Sequence, residues 1–163
     1  MYEQGVIRPP SEASSLLIRV TRNCPWNQCL FCPAYKGVKF SKRTVEEVKK
    51  DIDSMADELS GYSGVRTAFL QDADSLILPT NDLETILNYL KEKFPKVDRI
   101  TTYARARTLS HKSVDDLKRL KQAGLTRIHT GMESGSVRVL QMIKKGMTPE
   151  EVVTGGRHVM EAG

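Results

Sequence analysis

The sequence predicts an α/β fold, specifically a partial (β/α) barrel of about four N-terminal βα units with parallel strands. Three observations support this. Short apolar runs with β-branched members alternate with longer segments whose apolar residues recur at helical spacing. No low-complexity or Gly/Ser-rich linker interrupts this alternation, so residues 1–163 are expected to form one domain. Strands that alternate with helices pair in parallel, and the helices then cover the sheet.

Four apolar runs are the predicted strands. The first, residues 16–20, is almost continuously apolar, as expected for a parallel strand that is buried on both faces. The others are residues 65–70, 100–104 and 125–132, and each interval between runs is long enough for a helix.

Helices are predicted after each of these strands. The first begins at a capping box made by Thr44 and Glu47, the second ends before Pro95, and the third ends at Gly124. A fifth helix begins at residues 148–151, with Pro at its first position. The apolar residues that mark the first four helices are Val45, Val48, Ile52, Met55 and Leu59; Leu83, Ile86, Leu87, Leu90 and Phe94; Val114, Leu117 and Leu120; and Val137, Leu140 and Ile143.

Four strands do not close a barrel, and they leave an edge that needs a further strand or a cover. The last predicted helix reaches Gly163, a residue type that ends helices and here would lead into a fifth strand. We therefore expect residues 1–163 to be the N-terminal portion of a longer barrel, truncated before its fifth strand. A complete small open-sheet domain is the alternative.

Composition indicates an ordinary globular chain, with 39% apolar and 28% charged residues. No apolar run has the length of a membrane span and no signal peptide is evident, so a cytoplasmic location is expected. The net charge of +5 would suit nucleic acid, an anionic substrate or a redox partner. Solvated helix faces are the simpler interpretation, because the lysines have no interleaved aromatic residues and nucleic acid is therefore not indicated.

All three cysteines of the chain, Cys24, Cys29 and Cys32, lie within nine residues, directly after the first predicted strand. Their spacing is C-x4-C-x2-C. An odd and clustered set argues against disulfides and indicates a metal site or redox chemistry.

The kind of metal centre depends on the fourth ligand. Structural zinc needs four protein ligands, and a plant-type [2Fe–2S] cluster needs a further cysteine that the sequence lacks. A [4Fe–4S] cluster on three cysteines would leave one iron open to an exogenous ligand. Zinc completed by a distant histidine, and three adventitious thiols, remain alternatives. The histidines are His111, His129 and His158, and His129 is expected to be a barrel-wall residue.

Residues 24–33, Cys-Pro-Trp-Asn-Gln-Cys-Leu-Phe-Cys-Pro, resemble the radical S-adenosylmethionine (SAM) superfamily. The usual motif of that family is C-x3-C-x2-C after the first barrel strand, so this chain has one extra residue between the first two cysteines. Phe31 keeps the aromatic residue before the last cysteine, which in the family lies by the adenine ring. The resemblance covers the whole chain.

The resemblance implies a radical SAM enzyme, with a [4Fe–4S] cluster on the three cysteines and S-adenosylmethionine as its second cofactor. The reduced cluster would cleave SAM to a 5′-deoxyadenosyl radical, which abstracts hydrogen from a substrate that the sequence does not identify. It also implies a one-electron donor such as flavodoxin or ferredoxin. A non-catalytic metal or iron–sulfur binding module is the alternative function, and this portion alone could be inactive.

Barrel active sites lie at the carboxyl ends of the strands. After the second strand, Asp72 and Asp74 stand where the family has a Gly-Gly-Glu motif that holds the methionine amino group; the alternative is a turn with capping aspartates. After the third, Arg105 could clasp the cofactor carboxylate or be a surface residue. After the fourth, Glu133 and Ser136 belong to a G-x-E-S-G-S sequence that resembles the family's ribose motif, and helix capping is the alternative there.

Overall fold

The computed structural model describes residues 2–60 and 64–163. It contains six strands and six α-helices, together with short 3₁₀ turns at Pro10–Glu12 and Ser75–Ile77. The strands are β1 (Leu16–Arg19), β2 (Thr21–Arg22), β3 (Ser41–Lys42), β4 (Thr67–Gln71), β5 (Arg99–Tyr103) and β6 (Leu125–His129). The helices are α1 (Val45–Glu58), α2 (Thr80–Lys93), α3 (Ala106–His111), α4 (Val114–Gln122), α5 (Val137–Met142) and α6 (Pro149–Ala162).

The main sheet has four strands in the order β1-β4-β5-β6, and every pair in it is parallel. Leu16 lies opposite Ala68, and Ile100 lies opposite Leu125. The predicted parallel sheet of four βα units is therefore confirmed. Since the strands are parallel, all their carboxyl ends meet at one edge of the sheet.

A second, two-stranded sheet pairs β2 with β3 in antiparallel fashion, with Thr21 opposite Lys42. The segment between these two strands contains the three cysteines, so the pair closes the base of the cysteine loop, defined here as residues 23–40. Two-residue strands show no periodicity in a sequence, and this small sheet was not predicted.

The helix starts agree with the local capping signals. Thr44 accepts the backbone N–H of Glu47 at 3.2 Å, and the Glu47 carboxylate accepts that of Thr44 at 2.8 Å. Thr148 and Glu151 repeat this arrangement at the start of α6. The fourth strand was predicted to reach residue 132 but ends at His129, and α3 was not predicted, because six residues carry too little periodicity.

One apolar core joins the sheet to α1, α2 and α4. Burying each large side chain in it stabilises the fold by roughly 1.5–3 kcal/mol. The largest fully buried side chains include those of Ile18, Ile52, Phe69, Leu87 and Ile100. A second, smaller cluster of Ala106, Leu140 and Met147 joins α3, α5 and the segment before α6. This cluster lies beside the carboxyl edge of the sheet and positions the turn between α5 and α6.

No helix in the described part of the chain is both long and apolar enough to span a bilayer.

Candidate functional site

Cys24, Cys29 and Cys32 line one cavity of about 230 Å³ at the carboxyl edge of the main sheet. Each side chain is partly exposed, and none forms a disulfide. Residues that follow β4, β5 and β6 line the same cavity. The structure thus brings the cysteine loop and three strand ends together, as expected for the active-site edge of such a sheet.

Asp72 anchors the start of the cysteine loop from beneath. Its carboxylate is fully buried, lies 2.8 Å from the Arg19 guanidinium, and accepts the backbone N–H of Asn23 at 2.9 Å. The hydroxyl of Tyr35 donates to the same carboxylate at 3.2 Å. Burial, together with the Asp72 charge, raises the pKa of Tyr35 well above its usual value. The cation that Asp72 meets is therefore one of the protein's own.

Asp74 is also buried; it follows β4 in the sequence, and its carboxylate contacts the first turn of α3. It accepts the backbone N–H of Arg105 at 3.2 Å and the hydroxyl of Thr108 at 2.6 Å. Burial raises the pKa of Asp74 to about 6, although these hydrogen bonds oppose the shift. Ala73 lines the cavity, whereas Asp72 and Asp74 do not. The Asp74 side chain does not cap the 3₁₀ turn that follows it, and its contacts instead join β4 to the start of α3.

Arg105 is brought to the cysteines and lines their cavity. One guanidinium nitrogen donates to the Gly146 carbonyl at 2.9 Å, and the guanidinium carbon lies 5.4 Å from the centre of the Trp26 ring. These contacts hold the side chain in place and leave other N–H groups free to bind an anion.

Glu133 also lines the cavity, where its carboxylate lies 2.7 Å from the ammonium of Lys145. Its backbone adopts a left-handed conformation, with φ of 59°. Ser136 is exposed and caps α5 by accepting the backbone N–H of Val139 at 3.4 Å. Of the two residues predicted from the G-x-E-S-G-S sequence, the structure therefore brings Glu133 to the cysteines and leaves Ser136 outside the cavity.

Phe31 lines the cavity with half of its surface exposed, and the Lys145 ammonium lies 5.3 Å from its ring centre. Lys145 was not predicted, because a single lysine has no spacing signature and its neighbours here are distant in sequence. His129 also lines the cavity, and its Nε2 is buried without a hydrogen-bond partner within the described residues. Its position at the last residue of β6 was a signal that could have identified it.

The donor chemistry of the cavity bears on the kind of metal centre that it suits. Burial raises the pKa of the Cys29 thiol, while the positive charges of Lys145 and Arg105 favour its thiolate. A structural zinc ion would need a fourth protein ligand beside the three thiols. All three thiols line one cavity and the sequence has no fourth cysteine, so a centre held by these cysteines alone would keep one position open to an exogenous ligand.

The Cys24 sulfur already accepts a hydrogen bond, from the backbone N–H of Asn27 at 3.4 Å. Such hydrogen bonds to ligand sulfurs are among the features that set the reduction potential of iron–sulfur clusters. The loop therefore supplies both the thiols and part of their surroundings.

Comparisons with solved structures support the fold. The chain is similar to the cobalamin-dependent SAM radical enzyme OxsB with aqua-cobalamin and SAM bound, with a TM-score of 0.66 and 23% identity over 89% of this chain and 22% of that one. For the methylornithine synthase PylB, the TM-score is 0.64 and the identity 16% over 91% and 42% of the two chains. For coproporphyrinogen III oxidase (HemN) from Escherichia coli, the values are 0.62 and 18% over 91% and 34%. These similarities confirm the partial (β/α) barrel.

Sequence comparisons identify the family. An uncharacterized methyltransferase, PH0819, from Pyrococcus horikoshii is 30% identical over 142 residues, which cover 84% of this chain and 28% of that protein. The chain thus spans less than half of the length of any of these four relatives. The family model of the Radical SAM superfamily matches residues 18–163. The chain therefore belongs to the radical SAM superfamily.

Proposed function

We propose that this chain is the cluster-bearing part of a radical SAM enzyme, with a [4Fe–4S] cluster on Cys24, Cys29 and Cys32. The observation that carries the proposal is the single cavity that all three thiols share with the ends of β4, β5 and β6. When bound, the cluster supplies the electron that cleaves SAM into methionine and the 5′-deoxyadenosyl radical, which abstracts hydrogen from a substrate.

The side chains of the cavity suit the polar groups of SAM. The Arg105 guanidinium can pair with the methionine carboxylate, and the Glu133 carboxylate can accept hydrogen bonds from the ribose hydroxyls or the amino group. The Phe31 ring provides an apolar face for the adenine. Ala73 lies in the lining at the place where the family's Gly-Gly-Glu motif is expected.

The remaining predicted residues would act from outside the cavity. Asp72 holds the start of the cysteine loop through Arg19 and Asn23. Asp74 fixes the backbone of Arg105, and Ser136 caps the helix that follows Glu133. We assign these three residues to positioning the groups that meet SAM.

An external one-electron donor, such as a flavodoxin or ferredoxin, is part of the proposal. The cysteine loop reaches the surface, where Leu30 is 64% exposed between two of the cluster ligands. Most of the length of PH0819 and of OxsB lies outside the segment that each shares with this chain. We accordingly propose that residues 1–163 are the N-terminal portion of the catalytic domain.

Anaerobic reconstitution with iron and sulfide tests the proposal. We expect about four irons per chain and an air-sensitive visible absorption. Addition of dithionite and SAM to the full chain should release 5′-deoxyadenosine. Cys24→Ala should abolish the cluster and the cleavage together. Reconstituted protein without iron and without 5′-deoxyadenosine would refute the proposal, and a cluster that never cleaves SAM would favour the non-catalytic binding module.

Methyl transfer is a reaction class worth testing in the same assay, because the relative PH0819 is named a methyltransferase. The assay would detect S-adenosylhomocysteine, the product that remains after a methyl group leaves SAM. Its formation together with 5′-deoxyadenosine would indicate radical methylation, whereas 5′-deoxyadenosine alone would count against it.

A further inference from the structure

The turn between α5 and α6, residues 143–146, is fastened to the cysteine loop by main-chain acceptors. The Ile143 carbonyl accepts the backbone N–H of Leu30 at 3.0 Å. The Lys144 carbonyl accepts the indole N–H of Trp26 at 2.7 Å. Both bonds join residues more than 110 positions apart in the sequence. Trp26 lies between Cys24 and Cys29, and Leu30 lies between Cys29 and Cys32.

Gly146 completes this attachment. Its carbonyl accepts a hydrogen bond from Arg105, and its φ of +68° lies in the left-handed region. A Cβ atom at this position would lie 2.2 Å from the Trp26 ring. The turn therefore lies directly against the loop, at a distance that only glycine permits.

Lys145 is the side chain that this turn delivers into the cavity. Only 15% of that side chain is exposed, and the ammonium lies 2.7 Å from the Glu133 carboxylate and 5.3 Å from the centre of the Phe31 ring. It lines the cavity together with the three cysteines, whereas Lys144 is not part of that lining in the described chain. Of these two adjacent lysines, only Lys145 lines the cavity that the three cysteines share.

A fixed cation beside a cluster acts on its two redox states unequally. One-electron reduction adds a negative charge, and a nearby ammonium in poorly solvated surroundings stabilises that added charge. The Glu133 carboxylate acts with the opposite sign and offsets part of the effect. Contacts of this kind around the metal ligands are a principal means by which proteins set reduction potentials.

We propose that Lys145 raises the reduction potential of the cluster on Cys24, Cys29 and Cys32, and that the turn 143–146 positions it for this purpose. The inference rests on the proposed function, since it requires the cluster. It assigns Lys145 a role in electron uptake, separate from the binding of SAM.

Potentiometric titration of the full chain, reconstituted anaerobically and free of SAM, tests this inference by electron paramagnetic resonance of the reduced cluster. For Lys145→Met we expect the one-electron reduction equilibrium to shift about tenfold toward the oxidised state, which is about 59 mV. Lys144→Met removes the same charge one residue away and should shift the equilibrium by less than about threefold, or about half that potential on the same scale. Glu133→Gln should shift it in the opposite direction, and Lys145→Arg should stay near the wild type.

The outcomes separate the two proposals. A wild-type chain that binds no iron overturns the proposed function, and this inference with it. A wild-type cluster whose equilibrium is shifted equally by Lys145→Met and Lys144→Met overturns the inference alone. If Lys145→Met cannot hold a cluster, Lys145→Gln and Glu133→Gln decide. A shift toward the oxidised state for Lys145→Gln, with a shift toward the reduced state for Glu133→Gln, supports the inference, and any other pair of shifts refutes it.

Discussion

Replacing Gly146 by alanine should destabilise the protein and loosen the cysteine loop. Two separate costs arise at this position. A non-glycine residue in the left-handed region costs roughly 1–2 kcal/mol, and Gly146 has φ of +68°. The added Cβ would also lie 2.2 Å from the Trp26 ring, closer than two non-bonded carbon atoms can approach. Relief of such overpacking typically costs about 1–3 kcal/mol.

The sum is about 2–5 kcal/mol for Gly146→Ala, a large part of the marginal stability of a typical domain. Movement of the Trp26 ring would also lengthen its 2.7 Å hydrogen bond to the Lys144 carbonyl. The loop segment between Cys24 and Cys29 would then be held less firmly. We therefore expect the variant to lose iron faster in air than the wild type after reconstitution.

Gly37→Ala is the matched control. Gly37 has a similar φ of +78°, but a Cβ there would meet nothing within 4 Å. It should therefore show the backbone cost of roughly 1–2 kcal/mol without the packing cost. Urea denaturation of the cluster-free proteins compares the two free energies of unfolding, and iron content over time reports the cluster. Equal destabilisation by both substitutions would show that contact with Trp26 contributes nothing.

Two further predictions concern the buried aspartates. Asp72→Asn removes the buried carboxylate that binds Arg19 and the Asn23 N–H, while Arg19 keeps its pair with Glu3, so it should cost about 1–3 kcal/mol in urea denaturation. Asp98→Asn, at the exposed pair with Arg66, should cost less than about 1 kcal/mol; equal losses would contradict the anchoring role. Because the pKa of Asp74 is raised to about 6, the folded state holds its proton more tightly than the unfolded state. Its contribution to stability should therefore be present below about pH 4 and decline as pH rises to about 6, by on the order of 1–3 kcal/mol. The difference in unfolding free energy between the wild type and Asp74→Asn, measured from pH 4 to 7, should follow this decline, and a constant difference would disprove the assignment.

Elements with local signals were predictable from the sequence. The capping boxes of α1 and α6 each depend on two residues three positions apart, and the structure forms both. The parallel sheet followed from alternating periodicities, since a crossover helix requires its flanking strands to be parallel. The small sheet of β2 and β3 and the helix α3 escaped prediction, because two to six residues hold too few apolar positions to define a period.

The candidate site likewise has features that the sequence predicted and features that it did not. The C-x4-C-x2-C spacing identified the three thiols, because ligands on one short loop are necessarily neighbours. The strand-end rule located Arg105 and Glu133 at the same cavity. The rule could not tell which way each side chain points: Ala73 faces the cavity, while Asp72 and Asp74 on either side of it are buried beneath.

The sequence by itself determined the fold class, the cluster of three cysteines and the family resemblance, because each depends on residues that are close together along the chain. Only the tertiary structure decided which groups surround those cysteines. Trp26 and the Lys144 carbonyl are 118 positions apart. The charge of Lys145 reaches the cavity because Leu140 and Met147, on either side of the turn, pack with Ala106 of α3. Contacts between distant segments depend on how the helices and strands pack, and no local pattern records them.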